Sequence, residues 1–252
     1  MKKIKLLAVL LALFLSFKAL ADMSWEEIHR EGKNQVKRNF YLKANLMRVD
    51  LEKPGLSYFY NLDNHSLAAL NRDENKFYFL DWRNLTGKTS QMNAKKQKLL
   101  GEPASGPGEG NQNPVFADPT YFYYDPFGVE PMFYCPGPGF ESKALDKARK
   151  ISRIMTREFS ITCAGRVFAR AWVNPRPEPT GEWQSYLDGL RWMDIDRHKF
   201  YSALPAIPVL IQSEKAADAS YEIKDISRDV IPLDKFILPE NAKPIPVPQT
   251  RD

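Results

Sequence analysis

The chain has 252 residues, with 36 Lys and Arg against 31 Asp and Glu. Most of that positive excess lies in the first 21 residues, so the basic balance is no footprint of nucleic-acid binding. Beyond them no segment is apolar enough to cross a membrane, and the remaining length suits one domain of ordinary size.

Lys2, Lys3 and Lys5 form a charged head, and Leu6–Phe17 is an almost unbroken apolar run. The run is shorter than the roughly 20 residues a spanning helix needs. Ala19-Leu20-Ala21 supplies small residues where a signal peptidase cuts. Residues 1–21 are therefore expected to be a secretory signal peptide. The mature chain would begin at Asp22 and be soluble in the periplasm. No cysteine lies near the cut, so N-terminal lipidation is not expected. Lys2, Lys3, Lys5 and Lys18 leave with the signal and no acid does, so the mature chain holds 32 basic against 31 acidic residues.

Ser24-Trp25-Glu26-Glu27 has the form of a capping box and predicts a short helix from Trp25 to Gly32. Residues 36–82 then read as five strands. Val36, Arg38, Phe40 and Leu42 alternate, and Ala44-Asn45 breaks the run. Met47, Val49 and Leu51 alternate up to Lys53-Pro54-Gly55. Leu56, Tyr58, Tyr60 and Leu62 follow, then Asp63-Asn64, a fourth run at 65–71, a polar turn at 72–75, and Phe77, Phe79 and Leu80. Period-two alternation with turn residues at this spacing predicts an antiparallel meander with one buried face.

Residues 83–113 are polar and rich in Gly and Pro, and read as a long connection. Residues 114–140 carry nine aromatics among six prolines. The prolines oppose helix and ladder alike, while the aromatics need a surface to bury against. The segment is expected to fold irregularly onto an apolar surface. Its sharper form is a lid over a ligand cavity made by Phe116, Tyr121, Phe122, Tyr123, Tyr124 and Phe127.

Ser142–Glu158 carries Ala144, Leu145, Ala148, Ile151 and Met155 as a helical stripe. Lys143, Lys147, Arg149, Lys150, Arg153 and Arg157 make the rest basic, a pattern found on solvated faces and on helices lying on anionic membranes. Ile161–Val173 reads as a strand. Thr180 can cap a second helix to about Ala203, with the stripe Trp183, Tyr186, Leu187, Leu190, Met193, Arg197 and Tyr201. Strands are expected at 209–212, 220–227 and 236–238. Residues 244–252 read as a Pro-rich tail.

Cys135 and Cys163 are an even pair and are expected to be bridged in an oxidising compartment. Asp194-x-Asp196-x-His198 is the one cluster with a metal look, but a third ligand on the same helix face is missing, and no metal is expected. Gly106–Gly110 lacks the Gly-Lys-Ser/Thr of a phosphate loop, and no Gly-x-Ser-x-Gly elbow occurs. No catalytic residue and no cofactor are therefore expected. A one-sided apolar sheet must be covered, so the fold class is mainly β with helices (α+β), with helices 142–158 and 182–203 packed on a curved antiparallel sheet.

Three places carry a resemblance. They are Leu42–Asp50; Tyr60-Asn61-Leu62-Asp63-Asn64 with Asn75-Lys76-Phe77-Tyr78; and Ser220–Lys224 with Asp234–Pro239. With the order of elements they resemble the periplasmic lipoprotein-carrier (LolA/LolB-like) superfamily, in an uncharacterised exported branch. The resemblance implies a curved, incomplete antiparallel β-barrel whose helices cover a concave apolar face, over residues 22–243, with 83–140 as an insertion. Carriers bind acyl chains on that face. They close it with an arginine just before the turn into the second strand, where this chain has Lys43-Ala44-Asn45.

The leading expectation is thus a non-enzymatic periplasmic module for an apolar ligand, a lipid or acylated group. The expected cavity residues are Met47, Val49, Tyr58, Tyr60 and Leu67, on the regular faces of successive strands. The alternatives are an assembly partner in an envelope protein complex and an envelope hydrolase, because carboxylate pairs cannot be placed from spacing alone.

Overall fold

The computed structural model describes residues 22–53, 55–81, 133–135, 137–174, 181–214 and 218–246. The expected signal peptide, the long connection and the expected lid residues Phe116–Phe127 lie outside the described residues, as does most of the insertion.

Twelve strands form one large open sheet. β1 (Met23–Glu31) and β2 (Asn34–Lys43) lead into β3 (Leu46–Leu51), β4 (Leu56–Asn61), β5 (Ser66–Asn71) and β6 (Lys76–Asp81). After the insertion come β7 (Phe140–Ile151), β8 (Ile154–Cys163) and β9 (Arg166–Val173). Two helices follow, α1 (Gly181–Met193) and α2 (Ile195–Ser202), then β10 (Pro208–Ser213), β11 (Ala219–Ser227) and the two-residue β12 (Lys243–Pro244). The spatial order is β12-β6-β5-β4-β3-β2-β1-β11-β10-β9-β8-β7. Among the described residues every pairing is antiparallel except β12 on β6.

The five runs expected from Val36 to Leu80 form β2–β6, paired in chain order. Trp25, Phe40, Val49, Tyr58, Ala69 and Tyr78 stand opposite one another on successive strands. All six are buried, and each large apolar side chain among them contributes roughly 1.5–3 kcal/mol by leaving water. The opposite face carries a smaller cluster, Phe59, Ala68 and Leu70, covered by Leu238 and Ala242 of the C-terminal segment. That segment is tied down where the Arg48 guanidinium donates to Lys235 O (2.9 Å) and the Ile245 amide to Phe77 O (2.8 Å). The expected tail therefore begins as a strap along the sheet edge.

Five stretches differ from the sequence reading. The helix expected from Trp25 to Gly32 is strand β1. It pairs with β2 along its whole length, and its inward positions are Met23, Trp25, Glu27 and His29. An acid and a histidine on the buried side hid the alternation. The helix expected over 142–158 is the β7–β8 hairpin, turning at Ser152-Arg153 with φ of 46° and 69°. Ala and Lys favour helix locally, but pairing of β8 with β9 overrides that preference. The long helix to Ala203 is interrupted by Asp194, which has extended backbone and caps α2 by accepting from the Arg197 amide. The strand expected at 236–238 is instead the end of a 3-10 turn, Leu233–Phe236. The stretch read as one strand at 161–173 also folds back, turning at Ala164-Gly165 between β8 and β9.

Candidate ligand-binding face

The five expected cavity residues share one face. Met47 stands opposite Tyr60, which stands opposite Leu67; Val49 stands opposite Tyr58. All five belong to the main core and are at most 4% exposed. They are brought together, and in this structure they are packed over rather than open.

The helix pair packs on the neighbouring strands β1 and β2. Trp25 stacks on Phe40 at 4.7 Å with the rings nearly parallel. Trp183 and Tyr186 of α1 meet Trp25 edge-on at 6.2 Å and 5.1 Å, and Tyr186 also meets Phe40 at 5.8 Å. Such aromatic pairs add about 0.5–1.5 kcal/mol beyond their burial. The Trp25 indole N–H is buried with no hydrogen-bond partner among the described residues.

Beside this aromatic layer lies a charged one. Glu27 on β1 accepts from Arg38 on β2 and from Arg197 on α2, each at 3.1 Å. Arg197 also approaches Asp194 at 3.7 Å. Glu27, Arg38 and Arg197 have no side-chain exposure, and Asp194 has 4%. Two cations and two anions offset one another, as buried charge requires. His29 is stacked on Tyr221 at 4.4 Å, and its pKa is held down to about 3 by burial first and by the Arg38 charge second. The imidazole is therefore neutral at ordinary pH. Burial pushes the Tyr186 hydroxyl well above its usual pKa.

Phe133 is the described end of the aromatic segment. It inserts between α2 and β11, 5.0 Å from Phe200 and 4.9 Å from Tyr221, with the Arg197 guanidinium over its ring at 4.4 Å. The Cys135–Cys163 disulfide anchors it to the end of β8.

A small pocket opens where the C-terminal end of α1 meets the β4–β5 turn. It is lined by Tyr60, Leu62, His65, Gly189, Trp192 and Met193, and its volume of about 10 Å³ leaves room for about one water. Trp192 stands 62% exposed at its mouth and lies 4.6 Å from the His65 ring.

The metal-like cluster is put to other use. Asp194 caps α2 and faces Arg197, and His198 shares a hydrogen bond with Ser202. Lys43 bonds Asp22 at 2.6 Å and Ile231 O at 2.9 Å, joining the start of the sheet to the segment after β11. Sequence reasoning missed the charged layer as a site. Its signal was present, since Arg38 and Arg197 both fall on apolar stripes.

No family model matches the chain, and no curated protein does. The solved structures similar to it at low level include two that span most of the chain. An uncharacterised conserved protein from Thermus thermophilus has 9% identity and a TM-score of 0.44, covering 94% of this chain and 98% of its own. A domain named for outer membrane lipoprotein sorting, from Vibrio parahaemolyticus, has 10% identity and a TM-score of 0.28, covering 91% of this chain and 95% of its own. Neither score reaches 0.5, and neither likeness carries an argument about function.

Proposed function

We propose that this chain is an exported, non-enzymatic binding module of the periplasm whose ligand is a lipid or an acylated group. The observation that carries the reading is the packing of two helices into the core of the apolar sheet face. The sheet holds one continuous apolar face, and two short helices inserted between the neighbouring strands β9 and β10 pack on it through Trp183, Tyr186 and Tyr201. Separating the pair from the sheet would bare a face wide enough for an acyl chain, with the Trp25 N–H as a polar handle at its centre. The face is then the concave side of the sheet, and ligand entry displaces the helix pair. The disulfide fits an oxidising compartment. The resemblance of residues 42–50, 60–64 and 220–224 to the lipoprotein-carrier superfamily points the same way.

Native mass spectrometry of protein isolated from the cell envelope tests the reading. A retained lipid, exchangeable for a fluorescent fatty acid, is the expected result. Bare protein that takes up no fatty acid at any concentration below its solubility limit sinks it. A second reading, a partner in an envelope assembly, is favoured by exposed apolar residues on the segment after β11: Val230 (84%), Leu233 (56%) and Ile237 (59%). Co-purification of a stoichiometric protein in place of lipid would select it.

A further inference from the structure

The β7–β8 hairpin is absorbed by none of this. Its distal half has two unlike faces. On one, the Arg149 guanidinium lies 3.9 Å over the Trp172 ring, and Thr156 is buried. On the other, Lys150 stands opposite Met155 and Ala148 opposite Arg157, and all four are exposed. The hairpin is thus packed down on one side and bare on the other. Among the described residues no strand pairs with the outer edge of β7.

The hairpin is strongly polarised. From 142 to 157 the chain holds six basic residues and a single acid, Asp146, in a chain whose charge beyond residue 21 is nearly balanced, and of the six Lys150 and Arg157 lie on the bare side. Asp146 meets Arg157 only at 3.9 Å. Lysines along an edge strand can serve merely to prevent edge-to-edge pairing. Here the charge continues off the edge, onto Arg153 at the turn and Arg157 on the second strand. The turn itself is costly for these side chains. Ser152 and Arg153 both have positive φ, where Asn-Gly is the usual choice. Among the cations Met155 stands 57% exposed.

An apolar side chain ringed by flexible cations on an open surface matches the headgroup layer of a bilayer. It does not match a concave site for one free phosphate, since no donors converge. We propose that this bare face docks on an anionic phospholipid bilayer. Lys150, Arg153 and Arg157 meet the phosphates, and Met155 reaches the boundary between headgroups and acyl chains. The inference stands on the hairpin alone and does not need the apolar-ligand reading.

The test uses the chain from Asp22 onward with vesicles of phosphatidylcholine alone or mixed equally with phosphatidylglycerol. Binding is expected only to the mixed vesicles, and it should fall with added salt. The variant Lys150→Glu/Arg153→Gly/Arg157→Glu should bind them more weakly by on the order of a hundredfold, since each basic residue accounts for about a fivefold change. Its thermal transition should lie no lower than the parent's and its fatty-acid uptake should match, which separates this inference from the proposed function. Met155→Trp should shift its emission to the blue on the mixed vesicles. No binding to them, or equal binding by parent and triple variant, overturns the inference. Tight binding to soluble polyglutamate without vesicle binding also overturns it, and makes an acidic protein the occupant.

Discussion

Arg197 on α2 places Nη1 3.1 Å from both carboxylate oxygens of Glu27 on β1, and neither side chain is exposed. This contact joins α2 to the sheet through charge rather than through apolar packing. Removing one partner leaves buried charge without compensation, which typically costs about 3–5 kcal/mol. Arg197→Met should therefore lower the urea midpoint by a corresponding amount. Glu27→Gln with Arg197→Met should cost less than the two single changes added together. A near-neutral Arg197→Met would show that aromatic packing alone holds the helices.

His29 gives the fold a pH dependence of known sign. Its folded pKa of about 3 lies below the ordinary 6.5. The unfolded chain therefore binds a proton between those values that the native chain refuses. Stability is complete above pH 6.5 and is lost as pH falls toward about 3, by up to about 1.4 kcal/mol per pH unit. Thermal unfolding across that window should show the slope, and His29→Gln should flatten it. An unchanged slope in the variant would assign the effect to another group.

The Cys135–Cys163 bridge spans 28 residues of sequence. A closed loop of that size is worth about 3.5 kcal/mol in the chain-entropy model. Replacing both cysteines with serine should destabilise the fold by that order. It should also loosen Phe133, which sits two residues before the bridge and is buried in the core. Thiol titration of unfolded, unreduced protein should find no free thiol.

Tyr186 fills the space between α1 and the Trp25–Phe40 stack. Tyr186→Ala should cost roughly 3–5 kcal/mol and leave a cavity against the sheet face. If that face is the ligand site, uptake of a fluorescent fatty acid should become faster in the variant. A slower or unaltered uptake by folded Tyr186→Ala would place the ligand elsewhere.

Arg153 occupies a left-handed position that suits glycine. Arg153→Gly should leave stability unchanged or raise it by up to about 1 kcal/mol. Chemical denaturation measures this directly. A marked loss would mean that the side chain makes a contact the turn depends on.

By itself the sequence determined the meander. Turn residues at fixed spacing and strict alternation from Val36 to Leu80 are local signals, and they mark out the successive strands, while the structure supplies the register that puts Met47, Val49, Tyr58, Tyr60 and Leu67 on one face. The parity of the cysteines likewise led to the bridge. Tertiary structure decided the elements whose signals were ambiguous. β1 looks helical because Glu27 and His29 interrupt its apolar side, and only Arg38 and Arg197, remote in sequence, make that side buriable. The β7–β8 hairpin reads as a basic helix because Ala and Lys favour one locally, and only the ladder to β9 makes it a strand pair. The same two arginines lay on apolar stripes in plain sight. Nothing local says which acid a buried cation will meet, because that partner is chosen by long-range pairing and by the docking of α2 on the sheet.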